Sequence, residues 1–136
     1  MYLTTTDLEM GIHEEVLTVI TRNRRKAEQA IADAIAEVRS YLCARYDMEL
    51  ELAKTGGDRS PMVVKVARDI ALYNCFNISN PVNMPESRRE AYRDAVAYLK
   101  SVQAERASIE GLVRLNAATG SSYVSYGGNP KKNFQY

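Results

Sequence analysis

His13 is the single histidine of the chain, so any triad or dyad that needs an imidazole base has to use it. Its setting, Ile12-His13-Glu14-Glu15, lacks the second histidine of a zinc-binding helix, and it reads as a surface or helix-cap residue. Asp33 and Glu37 stand one helical turn apart, as do Glu86 and Glu90. Arg and Lys are interleaved with them throughout, which is the pattern of a solvated face and not of a desolvated acid and base. Asp69 differs, because it lies beside an apolar stripe. A half-buried carboxylate there needs a partner such as Arg45 or a tyrosine hydroxyl, and a contact that fixes the bundle is the expectation.

Cys43 and Cys75 each sit among apolar residues in a helical pattern, outside any CxxC or Cys/His cluster, and are expected to be buried free thiols. Gly56-Gly57 and Gly127-Gly128 are isolated pairs without the spacing of a phosphate loop. No catalytic site, metal or cofactor follows from these residues. The basic run Arg22, Arg24, Arg25 and Lys26, broken only by Asn23, is the one candidate contact site. It falls at a turn between helices, where it would meet phosphate or an acidic partner without reading bases.

The elements that must position these residues are helical. Thr4 to Thr6 and Asp7 supply oxygens to cap a first helix, which Gly11 divides into two short pieces. From Arg24 to about Tyr46, Ala27, Ala30, Ile31, Ala34, Ile35, Val38, Tyr41 and Leu42 recur at helical spacing without Gly or Pro, which predicts a long amphipathic helix with close neighbours. Met48, Leu50 and Leu52 alternate with Glu49 and Glu51, a pattern that suits a strand as well as a helical turn. Ser60-Pro61 then starts a helix that runs to about Ile78, with Val63, Val66, Ala67, Ile70, Tyr73 and Asn74 or Asn77 inward. Residues 77–85, rich in Asn and Pro, form a loop. A last helix begins near Pro85 or Glu86, buries Tyr92, Ala95, Val96, Leu99 and Val102, and closes over residues 104–109.

These elements make an all-α bundle of about four main helices in one domain, residues 1–110, with an extended C-terminal arm, residues 111–136. Lys plus Arg number 18 against 17 Asp plus Glu, so global charge points to neither nucleic acid nor an anionic membrane. The N-terminus lacks the basic and apolar regions of a signal peptide, and no apolar run has the roughly 18 residues of a membrane span, so a soluble intracellular protein is expected.

The opening Met1-Tyr2-Leu3-Thr4-Thr5, the run Glu15 to Arg22, the helix end Ser40 to Asp47, and the segments Val66 to Tyr73 and Arg89 to Leu99 carry a resemblance. They look like the small helical proteins encoded beside capsid genes in Mu-like phages and in Bacteroides phages and prophages, a family similar to head-completion or head-tail connector proteins. The resemblance covers about residues 1–105. It implies a structural virion protein in the neck region, assembled in the host cytoplasm. Such a subunit would belong to a homo-oligomeric ring, commonly of twelve, between the portal protein and the tail or other neck proteins, with DNA in its channel and no membrane.

Local charge suits such an assembly. Residues 1–21 carry Asp7, Glu9, Glu14 and Glu15 without Lys or Arg, and residues 111–136 carry Arg114, Lys131 and Lys132 without Asp or Glu, so head-to-tail contacts are expected. In the arm, Tyr123, Tyr126, Phe134 and Tyr136 stand among Gly, Ser and Asn, too few apolar groups for a core of their own but enough to anchor in another chain. Ser121 to Tyr126 has strand-like content and would pair with a neighbour's edge, after which Lys131 and Lys132 would meet acidic residues. The rival readings are a tail-completion or tail-terminator component, and a small helical regulator that binds DNA or protein through Arg22 to Lys26. An enzyme is not expected.

Overall fold

A computed structural model describes residues 1–9, 22–79, 82 and 84–115 of the chain. Five α-helices lie among them: α1, Thr5–Glu9; α2, Arg24–Leu42; α3, Met48–Leu52; α4, Pro61–Ser79; and α5, Glu86–Gln103. The all-α expectation holds.

Each helix start has a local cause. The Thr4 hydroxyl accepts from the Asp7 N–H at 3.2 Å while the Asp7 carboxylate accepts from the Thr4 N–H at 2.8 Å, a reciprocal box that caps α1. Asn23 caps α2 by accepting from Lys26 N–H at 3.1 Å. Asp47 caps α3 through Leu50 N–H at 3.1 Å. That cap decides the ambiguous segment in favour of helix. A strand would place Met48, Leu50 and Leu52 on one face, whereas Met48 and Glu51 are buried and Leu50 is 47% exposed. Ser60 stands before Pro61, which tolerates the first turn of α4 because it has no N–H to lose.

The buried residues of α2 are Ala27, Ala30, Ile31, Ala34, Val38 and Leu42, one stripe at helical spacing. On α4 the buried set is wider than the stripe read from sequence, since Ala71, Leu72, Cys75 and Phe76 join Val63, Val66, Ala67 and Ile70. The reason is that α4 is central and packs against α1, α2 and α5. Of the two alternatives for the inward asparagine, Asn74 is half-buried and donates to the Ala30 carbonyl, whereas Asn77 is exposed. Cys75 is buried as expected, but Cys43 is exposed. It stands one residue past the end of α2, beyond the stripe, so the apolar flanks that suggested burial belong to other faces.

Three contacts fix the directions of the helices. Asn74 Nδ2 donates to the Ala30 carbonyl at 3.3 Å, which sets the late part of α4 beside the early part of α2 and makes the two antiparallel. The Tyr92 hydroxyl donates to Glu37 at 3.3 Å, and the Arg45 guanidinium donates to the carbonyls of Val102 and Ala107. α5 therefore runs parallel to α2. One end of the bundle holds the start of α2, the end of α4 and the turn into α5. The other end holds α1, α3, the start of α4 and the segment after α5.

Of the partners expected for Asp69, Arg45 or a tyrosine hydroxyl, Arg45 is not beside it. It lies instead at the far end of α2, about 15 Å along the bundle from the level of Asp69, and Asp69 takes an ion pair with Lys65 one turn away at 3.4 Å. After α5 the chain turns through Glu105, whose φ is 64°, with Arg106 N–H on the Ser101 carbonyl and Glu105 N–H on Val102. That is a left-handed helix stop of the kind usually given to glycine. The chain then returns across the core: Ile109 is buried with its N–H on the Tyr46 hydroxyl at 3.1 Å, and Tyr46 and Arg114 form an isolated antiparallel bridge.

Candidate functional site

Two polar constellations stand out, and only one was visible in the sequence. The one that was missed clamps the N-terminal segment. Glu51 is 2% exposed. Its Oε2 accepts from the Tyr2 hydroxyl at 2.6 Å and from Ser60 N–H at 2.7 Å, and its Oε1 lies 3.1 Å from Lys54 Nζ. Next to it, Arg59 donates to the Tyr2 carbonyl at 2.7 Å, to the Gly56 carbonyl at 2.7 Å and to Asp7 at 2.8 Å. Burial alone would raise the Glu51 carboxyl, but the Ser60 and Tyr2 donors and Lys54 outweigh it and hold it below the usual carboxylate range. Asp7 is lowered chiefly by its hydrogen bond from Arg59. A carboxylate held ionised by three donors is a poor proton acceptor, so the arrangement anchors the segment and offers no general base.

The other constellation is the basic tip of α2. Arg22, Arg24, Arg25 and Lys26 are all exposed at the helix start. Arg24 pairs with Glu28 at 3.6 Å, and among the described residues Arg25 and Lys26 have no ion pair. Three cations in the first turn oppose the helix dipole, whose positive end attracts anions. Stability would be better served there by Asp or Glu, so the tip fits a contact with negative charge on another molecule.

The remaining sequence candidates divide clearly. Asp33 accepts from Gln29 at 2.9 Å and Glu86 pairs with Arg89 and Arg93 at 3.6 and 3.3 Å on open surface, while Glu37 accepts from Tyr92 in a half-buried contact. None of these carboxylates is set against another. Tyr92 also stacks on Tyr73 with ring centroids 4.0 Å apart, and burial first, then Glu37, raises its hydroxyl. Asp7, counted above among free acidic charges at the N-terminus, is spent on Arg59 within the chain, with 15% of its side chain exposed. His13, Glu14 and Glu15 lie outside the described residues, as do Tyr123, Tyr126, Lys131, Lys132, Phe134 and Tyr136 of the arm.

No helix among the described residues is long and apolar enough to cross a membrane. No curated protein and no solved structure matches the chain. A family model does: that of bacteriophage Mu, Gp36, over residues 2–124. It takes in the clamp, the whole bundle, the basic tip and the first part of the arm, and the chain belongs to the bacteriophage Mu Gp36 family.

Proposed function

We propose that the chain is a structural protein of the phage particle, a head-tail connector subunit that forms a ring, of about twelve copies by resemblance to connector proteins, between portal and tail. Family membership supports a role in building the particle. The finer reading is carried by the basic tip: Arg25 and Lys26 stand exposed in the first turn of a 19-residue helix, where they oppose the dipole. Charge kept at a cost to stability fits a contact with an acidic neighbour or with the phosphates of DNA in a channel. The role needs no chemistry from the chain. His13→Ala is expected to leave particle assembly intact.

The test is microscopy of particles made without this protein, together with the purified chain mixed with its neighbouring portal. Filled heads without tails, and rings seated on the portal, are expected. Tails that lack a terminus while heads are complete would replace this reading with a tail-completion role, and sequence-specific DNA binding that survives raised salt would replace it with a regulator.

A further inference from the structure

The large apolar side chains that the fold leaves exposed are not scattered. Among the described residues they are Met1, Leu50, Met62, Ile78, Val82, Val113 and Leu115. All seven lie at the two ends of the bundle. Ile78 and Val82, 41% and 87% exposed, belong to the end of α4 and the turn into α5. The antiparallel register set by Asn74 and Ala30 brings that turn beside Arg25 and Lys26. Leu50 and Met62 lie at the opposite end, on α3 and the first turn of α4. Val113 is tied there by its carbonyl, which accepts from Asp47 N–H at 2.8 Å, and Met1 by Tyr2 on Glu51. The helix sides between the ends show none of these residues.

Charge divides the same way. At the first end, residues 22–28, 74–79 and 84–90 hold six cations, Arg22, Arg24, Arg25, Lys26, Arg88 and Arg89, against Glu28, Glu86 and Glu90. At the other, leaving aside the clamp pairs Glu51–Lys54 and Asp7–Arg59, residues 1–9, 45–59 and 105–114 hold six carboxylates, Glu9, Asp47, Glu49, Asp58, Glu105 and Glu110, against three arginines, Arg45, Arg106 and Arg114. An apolar centre rimmed by charge is the usual make-up of a protein interface. Here each end has the centre, and the rims are opposite in sign.

We propose that copies of this chain join end to end. The tip with Ile78, Val82, Arg25 and Lys26 of one copy seats on the Leu50 and Val113 end of the next. The proposal rests on the reading of the chain as a self-assembling particle protein and assigns the surface that the assembly uses. Like ends repel, since tip on tip would set one excess of positive charge against another. The contact is therefore heterologous, and a heterologous contact closes into a ring when the rotation per copy permits. Of the N-terminal acids read from sequence, Asp7 is taken up by Arg59 within the chain and is not part of this contact.

The experiment uses the full chain in sedimentation velocity. Val82→Asp blocks one end and Leu50→Asp the other; both positions are exposed, so the fold is kept, and circular dichroism checks it. Each variant alone is expected to remain monomeric, with association weakened at least about tenfold. Mixed, the two variants have one good end each and are expected to form dimers that grow no further. A monomeric mixture, either variant assembling like the parent, or a parent chain that never self-associates at millimolar concentration would overturn the proposal. The wider reading is scored separately, by whether the protein is present in purified particles. Particles that contain it while both variants assemble normally would leave the connector role standing and discard this interface.

Discussion

A carboxylate taken out of water must be compensated, and Glu51 is: its Oε2 accepts from the Tyr2 hydroxyl and Ser60 N–H, and its Oε1 faces the Lys54 ammonium as an ion pair. Replacing it with Ala strands a buried hydroxyl and a buried N–H, and should cost about 3–5 kcal/mol in urea unfolding. Asp7→Asn should cost less and also change the pH response. The folded carboxyls of Glu51 and Asp7 are lowered. Their contribution is thus complete above the ordinary carboxylate value of about 4 and is lost as pH falls through the folded values. The parent midpoint is expected to fall below about pH 4, and less steeply in Asp7→Asn; an unchanged slope would show that the Arg59 pair is not the acid-sensitive element. Tyr2 works in the other sense. Its hydroxyl is raised by burial and by Glu51, so stability should also decline above the ordinary tyrosine value of about 10. Burial likewise pushes the Cys75 thiol up to about 11, while Cys43 is exposed. A thiol reagent should label one cysteine quickly in the native chain and the other only on unfolding. Little of this was legible beforehand, because the partner of Glu51 lies 49 residues away and its own neighbours alternate as a strand would.

At the scale of elements the sequence says more, because helix signals are local. Ser60-Pro61 and the alanine stripe of α2 each act within a turn or two, and the helices start where they indicate, whereas the Asn23 cap shows only in the structure. The short α3 was not decidable, since five residues that alternate also place Met48 and Glu51 three apart. Two helix ends run against local preference. The first is the basic tip. Arg25→Glu and Lys26→Glu should each raise the stability of the isolated chain by about 0.3–1 kcal/mol by matching the dipole, while lowering incorporation into particles. A double variant that is both more stable and fully incorporated would remove the case for a functional tip. The second is Glu105, held at φ 64°. Glu105→Gly relieves a left-handed residue that carries a side chain and should gain about 1 kcal/mol, measured as a higher urea midpoint; a loss would mean that the side chain contributes more than its strain costs.

The closure of the molecule was not legible from periodicity, because the segment after α5 has none, yet it completes the core. Arg45 takes the carbonyls of Val102 and Ala107, the Tyr46 hydroxyl takes Ile109 N–H, and the backbone of Val113 and Leu115 bonds back to Asp47 and Arg45 at 2.8 and 3.0 Å. The chain thus stays attached to the bundle through Leu115, although the sequence divides domain from arm near residue 111. Two truncations separate the parts. Ending the chain after residue 116 keeps every one of these contacts, so helical circular dichroism and the urea midpoint should match the parent, while incorporation into particles is lost if residues 117–136 reach a neighbour. Ending it after residue 110 removes the two backbone hydrogen bonds to Asp47 and Arg45 and the half-buried Leu112. At about 1 kcal/mol for each bond and a similar amount for the leucine, stability should fall by roughly 2–4 kcal/mol. The helices should still form, because Tyr46, Arg45 and Ile109 remain. A chain ended at 116 that is as unstable as the one ended at 110 would show that the arm braces its own bundle, and a chain ended at 116 that enters particles normally would show that the arm is not what carries assembly.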